Sequence, residues 1–203
     1  MTLSTGKTVR RIFAAVLLLS GALVRAEAQT TDTNRFWTTV GSAGTADESD
    51  PRKIVFDHAT AHFGQVLINT TAAAAPGAVS SQTDSAVIRY DVTPVDGLFQ
   101  PGVGALQVRY LATGPGARVV AKLIEVDLAT GLERSRITFD STAFAASKTY
   151  HVNGVEDCSG HGGRFDFVQK AYYVEVTLTH SSLATGGAAG VQIIKIVNNV
   201  CLK

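Results

Sequence analysis

Tyr172-Tyr173-Val174-Glu175-Val176-Thr177-Leu178-Thr179 carries an apolar side chain at every second position, with Tyr173, Glu175, Thr177 and Thr179 between them. In an extended chain successive side chains point to opposite faces, so this pattern predicts a strand with one dry face and one wet face. A helix would scatter the same residues around its circumference.

The period-two pattern extends outward from there. Ile88, Tyr90 and Val92 alternate with Arg89, Asp91 and Thr93, and Leu106, Val108 and Tyr110 with Gln107 and Arg109. In the last long strand Val191, Ile193, Lys195 and Val197 mark one face and Gln192, Ile194 and Ile196 the other. Both faces are rich in apolar groups, which places that strand centrally. Residues 118–128 change phase: Val119, Ala121 and Leu123 start on one face, and Ile124, Val126 and Leu128 finish on the other. A β-bulge near Leu123-Ile124 would reconcile them. Asp127 to Glu133 reads as a hairpin turn with Gly131 at positive φ, followed by a strand over 133–140 with Ile137 and Phe139 inward.

Glycine and proline pairs such as Pro76-Gly77, Pro101-Gly102 and Gly186-Gly187 punctuate the chain. Past the N-terminal segment, helical spacing of apolar residues is absent; the best candidate, 56–64, reads equally well as extended. Eight to ten short strands predict an all-β fold, a two-sheet antiparallel β-sandwich of jelly-roll or immunoglobulin-like type. In spacing and composition the chain resembles jelly-roll modules of the galactose-binding type. The resemblance is one of architecture; it implies no site residue, and folds of this kind host many functions.

The N-terminus has its own logic. Lys7, Arg10 and Arg11 precede the apolar run from Ile12 to Leu19, and Ala26-Glu27-Ala28 supplies the small residues a signal peptidase needs. This is the layout of a cleavable signal peptide over 1–28. The run is short for a bilayer of about 30 Å. Residues 29–50 are expected to form a polar leader and first short strand, around Phe36-Trp37, and 51–203 the sandwich. The product would be exported, to the medium, periplasm or cell surface, with no transmembrane segment in the mature chain.

Residues 1–28 hold four of the 18 basic and one of the 17 acidic residues, leaving the mature chain two charges net negative. With no cluster of Lys and Arg to neutralise phosphates, nucleic acid is excluded as a partner. An exported chain meets oxidising conditions, so Cys158 and Cys201 are expected to form a disulfide. In the chain-entropy account that bond contributes about 4 kcal/mol at most.

No residue set demands a particular chemistry. His58 and His62 are four apart, but Ala59 stands where a zinc protease motif needs Glu. The Gly-x-Ser-x-Gly marker is missing from the mature chain. Asp47, Glu48 and Asp50 offer hard oxygen ligands to a structural calcium ion, against the competing reading of an acidic loop in water. No other cofactor is implied. Trp37 and Tyr173, the latter beside Glu175, could serve as flat platforms for a sugar, or could complete the core. The leading expectation is a non-catalytic binder of a ligand or surface, with carbohydrate or cell-envelope material first. A structural or assembly protein of the cell surface is the alternative, and an exported hydrolase comes third. Oligomeric state is open.

Overall fold

The computed structural model describes residues 35–48, 53–64, 83–94, 98, 104–157, 165–181 and 187–198. Eleven strands run through them: β1 Arg35–Val40, β2 Thr45–Ala46, β3 Ile54–Asp57, β4 Thr60–Phe63, β5 Thr83–Asp91, β6 Ala105–Ala112, β7 Ala117–Asp127, β8 Glu133–Asp140, β9 Ser147–Glu156, β10 Lys170–Ser181 and β11 Ala189–Asn198. Sheet I has the order β3-β4-β11-β6-β9, with β1 also paired to β11; sheet II has the order β2-β5-β10-β7-β8. Every pair is antiparallel.

The pairing has a simple rule. β7 pairs β8, β6 pairs β9, β5 pairs β10 and β4 pairs β11. The chain is therefore one long hairpin, bent at the β7–β8 turn and rolled until alternate strand pairs fall into opposite sheets. That is a jelly roll, and it selects between the two sandwich types expected from sequence.

Alternation fills the space between the sheets. From sheet II come Ile88, Tyr90, Val119, Leu123, Phe139, Val174, Val176 and Leu178; from sheet I come Leu106, Val108, Tyr110, Ile194 and Ile196, all buried. Tyr110 meets Phe139 edge-on across the sheets, with ring centroids 5.1 Å apart. β11 lies between β6 on one side and β4 and β1 on the other, as its two apolar faces predict.

β1, at the Phe36-Trp37 pair where a first short strand is expected, belongs to sheet I and β2 to sheet II. The chain crosses between them at Gly41–Gly44. A Cβ at Gly41 would strike the Val191 carbonyl and the Ala61 amide, and one at Gly44 would strike Ile88 and Tyr90. The buried Tyr90 hydroxyl donates to the Gly41 carbonyl at 2.7 Å, fixing the crossing to β5. Residues 56–64 are extended: β3 and β4 form a hairpin, with His58 at φ 50° in its turn.

Two register details differ from expectation. β7 keeps an unbroken register with β10, and the irregularity at Leu123/Ile124 lies in its pairing with β8, where the extra residue is Arg136. Ile124 therefore sits on the outer face of sheet II, opposite Tyr173. β11 carries a second bulge at Gln192, which turns Val191 inward while Ile193 and Lys195 face out.

Candidate functional site

The outer face of sheet II gathers three of the residues picked out from sequence. Register sets Tyr173 on β10 between Asp91 of β5 and Ile124 of β7, and Glu175 between Arg89 and Lys122. The Asp47 amide donates to the Val87 carbonyl at 2.9 Å, which brings the residue after β2 alongside β5. Its carboxylate then reaches Arg89, Nη1 to Oδ2 2.9 Å, while Arg89 Nη2 lies 3.5 Å from Glu175 Oε2. The guanidinium carbon is 6.0 Å from the Tyr173 ring centroid. Burial pushes the Tyr173 hydroxyl above its ordinary pKa, as does its hydrogen bond to the Glu133 carboxylate. It stays a neutral donor at physiological pH.

Exposed ion pairs contribute about 0–1 kcal/mol each, so this cluster adds little to stability. Its effect is orientation. A planar guanidinium is held between two carboxylates beside a partly exposed phenol ring. Such a set can form paired hydrogen bonds with adjacent hydroxyls on a ligand lying over an apolar ring.

The other residues fall elsewhere. Trp37 is 7% exposed and part of the core, so its ring is no platform; its neighbour Phe36, on the opposite side of β1, is 51% exposed. Asp47 faces a guanidinium, which competes with a cation for the same oxygens. Glu48 is exposed, and Asp50 lies outside the described residues. Among the described residues no three His, Cys, Asp or Glu are grouped to hold a metal. Cys158 and Cys201 also lie outside the described residues. His58 lies in the β3–β4 turn and His62 on β4, and His58 Nδ1 sits 2.5 Å from Asp57 Oδ1.

Arg89, which ties the cluster together, went unrecognised in the sequence. Its outward phase was legible from the alternation around Ile88 and Tyr90. Its meeting with Asp47 depends on the β2–β5 pairing, for which the sequence carries no local signal. A shallow cavity of about 330 Å³ at one end of the roll is lined by Ala112, Pro115, Ala117, Phe144, Ser141 and Thr142, among others. Its hydroxyls are already engaged: Ser141 Oγ accepts from the Val119 amide at 2.9 Å and Thr142 donates to Asp140 at 2.9 Å. Among the described residues no helix is long and apolar enough to cross a membrane.

No protein-family model matches the chain, and no curated protein does. Among solved structures the similarities have low TM-scores. A family two carbohydrate esterase from Cellvibrio japonicus aligns with TM-score 0.35 and 9% identity, over 82% of this chain and 34% of that one. The module TmCBM61, in complex with β-1,4-galactotriose, aligns with TM-score 0.35 and 11% identity, over 81% of this chain and 86% of that one. The enzymatically active domain of tailspike protein 4 of bacteriophage CBA120 aligns with TM-score 0.34 and 15% identity, over 82% of this chain and 19% of that one. The chain thus spans about a third of the esterase and about a fifth of the tailspike domain.

Proposed function

We propose that the protein is an exported, non-catalytic jelly roll that binds carbohydrate, in the medium or on the cell envelope, through the outer face of sheet II. The observation that carries this reading is the Tyr173 ring standing beside Arg89, with Asp47 and Glu175 holding the guanidinium in place. Sugars present an apolar C–H face and a rim of hydroxyls, and a ring with adjacent fixed charges complements both. Export rests on the tripartite segment over 1–28, and N-terminal sequencing of the exported protein should begin at Gln29.

Glycan-array binding with the mature protein tests the site. Tyr173→Ala and Arg89→Ala should each weaken a neutral-glycan hit about tenfold, equivalent to about 1.4 kcal/mol, with the melting temperature little changed. Absence of any glycan hit, or hits indifferent to both substitutions, would overturn the reading.

A further inference from the structure

The opposite surface of the molecule, the outer face of sheet I, is built differently. Its register places Lys195 of β11 beside Gln107 of β6, with Gly154 of β9 beyond, and one row along places Arg109 of β6 beside Ile193. Lys195 Nζ stands 4.1 Å from the ring centroid of the half-exposed Phe36. Arg109 donates through Nε to the Gln192 amide oxygen, a contact made available by the bulge at that residue. Among the described residues neither cation has a carboxylate partner, whereas on the other sheet Arg89 has two and Arg118 has one. Glu156 shares this face at its far corner and forms no ion pair with either. A Cβ at Gly154 would lie 3.0 Å from Gln107 Cγ, so the glycine lets the Gln107 amide lie down across β9.

From this we infer a second binding surface, for an acidic polysaccharide, on the outer face of sheet I. Two cations without a carboxylate partner among the described residues favour an anionic ligand. Phe36 supplies a flat apolar stacking surface, and the amides of Gln107 and Gln192 offer donors and acceptors for hydroxyls. The occupant is a sugar polymer bearing carboxylate or sulfate groups, which make the same charge-assisted bonds to Arg109 and Lys195. This surface is independent of the Tyr173 site, and either can fail without the other.

Titration of the mature chain with polygalacturonate, chondroitin sulfate and neutral galactan tests the inference. One of the acidic polymers should bind, with affinity falling as salt rises. Lys195→Ala, Arg109→Ala and Phe36→Ala should each weaken that binding at least tenfold, while Tyr173→Ala leaves it unchanged. Lys195 and Phe36 point to solvent, so their variants should fold normally, as circular dichroism and melting temperature will show. Binding of neither acidic polymer, galactan binding that Lys195→Ala and Arg109→Ala weaken as much as they weaken acidic-polymer binding, or equal binding of a DNA oligomer of matched charge would overturn it.

Discussion

Glu125 is 6% exposed on the inner face of sheet II, where an isolated carboxylate would be costly. Two cations offset that cost: Arg136 Nη1 at 2.6 Å and Lys170 Nζ at 2.5 Å. Arg136 reaches it because the bulge in β8 gives that strand one extra residue, beside the step where Ile137 turns inward. Removing the acid leaves the part-buried Arg136 without this counter-charge, so Glu125→Gln should lower unfolding stability by about 3 kcal/mol, read from a urea denaturation midpoint. A surface pair behaves differently. The bond from Arg118 holds Asp140 down at about 2, against an ordinary 3.8, helped by the Thr142 amide and hydroxyl. Its stabilisation is present above the ordinary value and is lost as pH falls through the depressed one. With Arg118 half exposed the contribution is about 1 kcal/mol. Wild type should exceed Asp140→Asn by that amount above pH 4 and lose the advantage by pH 2, as urea midpoints across the range will show. Phe36 and Trp37 mark where sequence reading stops at this scale. A one-step change of phase exchanges inside for outside, and a six-residue strand at the end of a polar stretch has too few apolar neighbours to fix the phase.

The β7–β8 hairpin was the most legible element. Asp127 Oδ1 accepts from the Ala129 amide at 3.1 Å, the Thr130 amide at 2.9 Å and the Thr130 hydroxyl at 2.9 Å, and Gly131 takes φ 70°. These are local demands, met by residues adjacent in sequence, which is why the Asp-x-x-x-Gly spacing announced them. Nothing lies within 4 Å of a Cβ built at Gly131, so Gly131→Ala meets no clash and its effect is purely one of backbone conformation. It should cost about 1 kcal/mol, measured as a fall in melting temperature. The bulges were harder. Ile124 and Val126 signalled a change of phase in β7, yet β7 is regular and those side chains occupy the outer face beside Tyr173. The extra residue sits in β8 because the pull comes from Glu125 across the strand, a contact invisible in either strand alone. Gln192 reversed the phase of β11 for a similar reason: its amide pairs with Arg109 of the neighbouring strand.

For the molecule as a whole, alternation was enough to establish two packed sheets, because each strand declares its own dry face. Strand order was not legible, since β4–β11 and β5–β10 join residues separated by long stretches of chain, and no local pattern encodes that choice. The roll does bear on the expected disulfide. Glu156 at the end of β9 and Val197 near the end of β11 both partner Ala105 of β6, so the two strands leave the same end of sheet I on either side of one neighbour. Cys158 follows the first by two residues and Cys201 the second by four. We propose that they are bonded, and non-reducing peptide mass spectrometry should recover the linked pair; two thiols open to alkylation in the native protein would refute it.

Arg35 and Asn198 are direct partners across the β1–β11 ladder. Rolling a hairpin returns its two arms to a common starting place, so the path from β1 to β11 almost closes on itself. A linker from Lys203 to Arg35, with a break made between Ala129 and Thr130, would produce a circular permutant that keeps every strand pairing and Cys201. The nearest-neighbour hairpin would become the most distant contact in the chain. Such a permutant should reach the same native state by a changed route, with the new β11–β1 hairpin closing early and the β7–β8 pairing late, as φ-values in the two hairpins will show.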